Sequence, residues 1–206
     1  MRDLVEDLAE VHRAVRREGG DGDEVVRVTM RRTYDTERTD LWSALTDPER
    51  IARWFMPITG ELRPGGHFQL EGNAGGDILE CEPPERLRTT FGGPESIVTV
   101  TLTGVGEATE LRLDHTVPLA MAQSVAGALF VGPGWDGAFL GLGMHVAGEA
   151  IGDPREMALA PEVVPFTRRS IELWTAVVAD SGATPEETAA GRHAAVAQFV
   201  PQDLDV

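Results

Sequence analysis

Between residues 64 and 117, turn-forming residues recur so often that the chain reads as a series of short extended runs. Pro64-Gly65-Gly66, the cluster from Gly72 to Gly76, Pro83-Pro84, Gly92-Gly93-Pro94 and Gly104-Val105-Gly106 punctuate the stretch. Between them, apolar and polar residues alternate. Phe68 and Leu70 stand against His67, Gln69 and Glu71; Val98, Val100 and Leu102 against Thr99, Thr101 and Thr103; Leu111 and Leu113 against Arg112 and Asp114. A period of two puts each apolar set on one face of a strand. Successive runs joined by short turns make an antiparallel meander with one wet face. The dry face needs a cover.

The flanking segments supply it. Val25 to Tyr34 reads as a first strand, with Val26, Val28 and Met30 alternating against Arg27, Thr29 and Arg31. Leu41 to Phe55 reads as two short amphipathic helices broken at Asp47-Pro48. Asp47 can accept hydrogen bonds from the free amides of the second helix, and Pro48 suits its first turn. A long helix opening near Gly134 or Trp135 carries Trp135, Phe139, Leu142 and Val146 along one side, and is the predicted cover. Its glycines, Gly137, Gly141 and Gly143, allow either close approach to the sheet or room for a ligand.

Residues 2 to about 18 place Leu4, Val5, Leu8, Val11 and Val15 at helical spacing, and Gly19-Gly20 stops the pattern, which predicts an N-terminal helix. Beyond Gly148 come a short turn after Asp153-Pro154, a helix from about Pro161 to Ala179 with Phe166, Ile171, Trp174 and Val178, and a helix from Pro185 to Phe199. The last opens on a capping box, Thr184 and Glu187. The expected organisation is α+β: an N-terminal helix over 1–20, a central domain over 25–148, and an appended C-terminal helical region over 149–206, either a further layer or an oligomer contact.

Composition removes several functions. A chain of 206 residues with a formal charge of -16 repels phosphate backbones, so nucleic acid is excluded as a partner. The single cysteine, Cys81, has no disulfide partner and no metal-ligand spacing, and reads as a small strand residue of a reducing compartment. Charges at Arg2, Asp3, Glu6 and Asp7 leave no apolar signal region. Thr116 to Trp135 is uncharged and about as long as a bilayer span. Pro118, Gln123, Gly127 and Gly132-Pro133-Gly134 interrupt it, so it reads as a loop and the start of a buried helix. The expectation is a cytoplasmic protein with no membrane partner.

No catalytic constellation stands out. His115 shares strand parity with Leu111 and Leu113 and points to the dry side. It is either a core histidine held by a hydrogen bond, or a group that orients a ligand or acts as acid and base. Asp77 and Glu80 are an odd number of residues apart, and in a regular strand point to opposite faces, a poor acid pair. His67 and His145 lack a ligand pattern, so no metal is expected, and no nucleophile elbow or phosphate loop calls for a cofactor. Trp54, Phe68, Leu70, Phe91, His115, Trp135, Phe139 and Leu142 are the candidate ligand-binding residues, since binding cavities are mostly apolar with few polar groups; ordinary packing would use the same side chains.

Several pieces together resemble the START-like (SRPBCC) superfamily, in particular its branch of activators of the heat-shock-protein ATPase, homologue type. They are Arg32-Thr33-Tyr34, the Trp42 helix with Thr46-Asp47-Pro48-Glu49 and Trp54, Gly65-Gly66 opening a strand, Glu80 to Leu87, Ser96 to Val100, Thr109 to Thr116, and Gly134-Trp135. The resemblance covers about residues 25 to 148. It implies a helix-grip fold, a curved antiparallel sheet wrapped on a long C-terminal helix with a hydrophobic cavity between them. It implies no single activity, because the fold hosts carriers, polyketide cyclases and chaperone regulators. Three functions follow as expectations: a binding protein for a small hydrophobic molecule; a cyclase or aromatase with His115 as acid and base; and an interaction module that meets a chaperone or a second copy of itself.

Overall fold

A computed structural model describes residues 4–20 and 23–200. Eight antiparallel strands form one sheet: β1 (His12–Glu18), β2 (Val25–Tyr34), β3 (Ile58–Gly60), β4 (His67–Leu70), β5 (Gly75–Glu82), β6 (Arg86–Thr90), β7 (Ile97–Val105) and β8 (Ala108–Pro118). Their spatial order is β1-β2-β8-β7-β6-β5-β4-β3, so the meander from β3 to β8 is continuous and β2 closes onto its last strand. Between β2 and β3 lie α1 (Arg38–Thr46) and α2 (Pro48–Trp54). After β8 come α3 (Leu119–Ala122), a 3-10 turn over Val125–Phe130, α4 (Gly132–Val146), α5 (Pro154–Leu159), α6 (Val164–Asp180) and α7 (Pro185–Phe199). This is the helix-grip arrangement, with α4 held against the curved sheet.

Local chemistry sets the joints. Asp47 accepts a hydrogen bond from the Glu49 amide at 2.9 Å, with Pro48 in the first turn of α2. Thr184 and Glu187 form the expected capping box at the start of α7. The glycines of α4 divide by environment. A Cβ at Gly141 would stand 2.6 Å from the Trp54 carbonyl oxygen, and one at Gly143 would stand 3.2 Å from the Arg32 guanidinium; one at Gly137 would meet open space. The first two let α2 and the sheet come close, and the third borders a hollow.

The amino-terminal segment departs from the sequence reading. Residues read as a helix form a 3-10 turn, Glu6–Glu10, and then strand β1, which pairs with β2 from His12–Arg31 to Glu18–Val25. The reason is an ambiguity of spacing. Val11 and Val15 are four residues apart, which suits a helical period and a strand period equally, and the inward position between them is filled by a charge, Arg13.

That charge is buried and paired. The side chains of Arg13 and Asp136 are 6% and 0% exposed, and the guanidinium donates to the carboxylate from Nε (3.0 Å) and from an Nη (2.8 Å). Ser170 Oγ (2.6 Å) and Trp174 Nε1 (2.9 Å) donate to the same carboxylate, so one residue of α4 ties β1 to α6. Arg32, inward on β2, is buried as well. It donates to Asp7 at 2.7 Å and to Glu10 at 2.9 Å, and lies over the Tyr34 ring. The main core cluster runs through Val11 and Val15, the central sheet, and Ile171, Trp174, Val178 and Ala195 of the last helices. The 22 residues from Val125 to Val146 are long and apolar enough to cross a membrane by length and composition, and two thirds of that stretch is packed inside the protein.

Candidate ligand-binding site

The alternating strands and the grip helix leave a space between them that side chains do not fill. It is a cavity of about 190 Å³. Its floor is the inward set of the sheet: Phe68 and Leu70 of β4, Ile78 and Cys81 of β5, Leu87 and Thr89 of β6, Val98 and Val100 of β7, Leu111 and Leu113 of β8. Its roof is Trp135, Ala138, Phe139 and Leu142 of α4, and Leu45, Ile51, Trp54 and Phe55 of the α1–α2 pair close one end. Seven of the eight candidates from the sequence therefore stand in one wall: Trp54, Phe68, Leu70, Phe91, Trp135, Phe139 and Leu142. His115 does not.

His115 lies behind the wall, 3% exposed, in an aromatic cluster. Its ring centroid is 6.1 Å from that of Phe91 and 5.9 Å from that of Trp135, edge to face in both cases, and Phe91 and Trp135 are themselves 5.2 Å apart. Trp135 Nε1 donates to His115 Nδ1 at 3.1 Å. An indole N–H only donates, so Nδ1 is bare and the neutral ring carries its proton on Nε2, which donates to Ser96 Oγ at 2.8 Å. Burial pushes the imidazole pKa down to about 4, so the ring is neutral at physiological pH. Both nitrogens are engaged, and what they do is hold the Trp135 indole in place as part of the cavity roof.

Few polar atoms reach the cavity, and most are committed. Thr46 Oγ1 donates to the Trp42 carbonyl at 2.8 Å, Trp54 Nε1 to the Ala44 carbonyl at 3.0 Å, and Arg63 to Glu61 at 2.6 Å. The Thr89 hydroxyl is in the wall with no hydrogen-bond partner among the described residues. Burial also pushes the Cys81 thiol up, away from thiolate chemistry. The wall residues that sequence reading did not single out, Val98, Val100, Leu111 and Leu113 among them, share the parity of residues it did; that parity was the available signal. Thr89 had none.

The remaining candidates are outside. Asp77 and Glu80 lie on the outer face together, because a bulge at Leu79 shifts the register between Ile78–Thr89 and Glu80–Arg88 and resets the alternation. Asp77 is bound to His67 at 2.8 Å and Glu80 to Arg86 and Arg88, so they form no acid pair. His145 accepts from Arg50 at 3.3 Å on the far side of α4. Among the described residues no cluster of His, Cys, Asp and Glu is arranged to hold a metal ion.

Comparison with known proteins places this geometry. The family described as activator of Hsp90 ATPase homolog 1-like protein matches residues 35–143. The crystal structure of CalU16 from Micromonospora echinospora is 37% identical, with 82% of this chain and 98% of that one covered, at a TM-score of 0.67. The solution structure of CalU16 gives 36% identity, 84% and 97% coverage, and a TM-score of 0.69. DynU16, a protein of the dynemicin biosynthetic locus, is 28% identical over 60% of this chain and 48% of its own, with a TM-score of 0.51. No curated protein sequence matches the chain.

Proposed function

Because the chain belongs to the activator of Hsp90 ATPase homolog 1-like family, within the START-like superfamily, and grips a cavity rather than a solid core, we propose that it binds a small hydrophobic molecule there without transforming it. The observation that carries this reading is the wall itself. It is apolar almost throughout, its indole and arginine N–H groups already have partners, and the histidine that would have served as acid and base is fastened behind it by Trp135 and Ser96. The free Thr89 hydroxyl gives the ligand one point of orientation, a carbonyl or hydroxyl oxygen near β6. DynU16 belongs to a biosynthetic locus, which supports looking for the ligand among the products of small-molecule biosynthesis.

Native mass spectrometry of the protein purified from its own host tests the reading. We expect a co-purifying mass that is released on denaturation and whose occupancy falls several-fold in Leu111→Trp, where the added ring fills the floor. A bare chain that also fails to bind the neutral fluorophore N-phenyl-1-naphthylamine would overturn it, and would shift the weight to a protein partner.

A further inference from the structure

A second hollow lies on the other side of the Trp135 ring. It is a groove of about 590 Å³, walled by Gly134 and Gly137 of α4, Pro154, Met157 and Leu159 of α5, and Phe166 and Thr167 of α6. It does not lie apart from the cavity. Trp54, Phe55, Phe91, Trp135 and Ala138 line both spaces, the first four as rings that form a neck. By itself the inner cavity is smaller than the roughly 300–1,000 Å³ usual for small-molecule sites, whereas the two together fall inside that range. The groove also keeps apolar surface open to solvent, with Leu159 66% and Phe130 49% exposed.

The chain gives the groove an outer wall that reaches across to the sheet. Asp153 caps α5, and Arg155 leaves its first turn to pair with Glu71 of the β4–β5 hairpin at 2.9 Å. That same pairing, with Asp153 at 3.5 Å, neutralises the guanidinium. Arg63, on the inner wall, is likewise paired with Glu61. Each arginine that borders the two spaces thus already has a carboxylate partner, and neither stands unpaired toward a ligand. The remaining polar side chains of the groove, Asn73, Thr167 and Gln198, are uncharged.

We infer that the cavity and the groove are two chambers of one site, which takes a single neutral, elongated molecule: an apolar head inside, a tail in the groove, and the neck at Trp135 around its middle. This rests on the proposed binding function and adds the shape and charge class of the ligand. Trp135, held by His115, sets the width of the passage between the chambers.

Straight-chain alcohols displacing N-phenyl-1-naphthylamine measure the length of the site. Two chambers predict affinity that keeps rising from hexan-1-ol to decan-1-ol, by about fourfold for each methylene that finds an apolar wall. Decanoate, of equal length but charged, is expected to bind at least about tenfold more weakly than decan-1-ol. Gly137→Phe projects a ring into the open side of α4 within the groove, and Thr167→Phe does so from α6; each is expected to lower the ratio of decan-1-ol to hexan-1-ol affinity by about tenfold or more. An affinity that levels off at hexan-1-ol, or a ratio untouched by both variants, overturns the two-chamber site, and decanoate binding as tightly as the alcohol overturns the neutral class. Cys81, the only thiol and part of the inner wall, separates this from failure of the binding function itself. If the alcohols slow its reaction with a disulfide reagent, the inner chamber is occupied and only the second chamber is in question. If none of them does, both readings fall.

Discussion

His115 shows how a residue with the strand parity of a cavity group can lie behind the cavity wall with both ring nitrogens hydrogen-bonded. Its parity was legible, since residues two apart on a strand share a face, and it does point inward with Leu111 and Leu113. What a sequence cannot display is that Trp135, twenty residues away, and Ser96, nineteen away, take its two nitrogens. A neutral buried imidazole has a consequence for stability. The pKa is about 4 in the folded protein and about 6.5 in the unfolded chain, so between those values the unfolded chain binds the extra proton. Stability is therefore full above about pH 6.5 and falls as pH drops toward 4, by up to about 3 kcal/mol from this group. Urea unfolding at pH 7 and pH 4.5 is expected to show a smaller difference between the two pH values in His115→Gln than in the parent; equal differences would mean that the ring does not resist protonation.

At the scale of elements, α4 separates what packing decides from what propensity decides. Gly141→Ala supplies a better helix former but drives a Cβ to 2.6 Å from a backbone oxygen of α2, and is expected to lose about 1–3 kcal/mol. Gly137→Ala meets nothing, and is expected to gain up to about 1 kcal/mol from propensity alone. Thermal melts of the two variants moving in the same direction would contradict the assigned environments. From the sequence these glycines were interchangeable, and close approach and open space were equal readings of all three. The strands and their inward faces were legible because alternation is local. The β5 bulge was not, because it lies between two registers with the neighbouring strand, and so the shared outer face of Asp77 and Glu80 was not foreseen, although they make no acid pair, as read.

The whole molecule is more tightly bound together than its family-matched segment implies. Residues 35–143 hold the whole meander from β3 to β8 and all but the last three residues of α4, yet two buried arginines from outside that segment, Arg13 and Arg32, tie its helix to the amino-terminal residues. Arg13 comes from β1 to meet Asp136, and Asp7 comes from the preceding turn to meet Arg32. Removing one partner of such a pair leaves a buried charge unanswered, typically by 3–5 kcal/mol, and removing β1 also bares the edge of β2. A chain beginning at Glu24 is therefore expected to be aggregated or to bind a hydrophobic dye, by size-exclusion chromatography and fluorescence. A monodisperse product with a cooperative melt would show the central segment to be self-sufficient.

The reach of the Arg13–Asp136 tie also bears on when the molecule can finish folding. Its partners are 123 residues apart, and the same carboxylate receives Ser170 and Trp174 from α6. During synthesis β1 is made long before α6, the helix whose Ser170 and Trp174 complete its tie. Any nascent chain that stops short of Trp174 holds an arginine and an aspartate whose shared burial has not yet been sealed. β1 must therefore wait for α6 before its tie can close, so these two elements are sealed late, through contacts far apart in sequence.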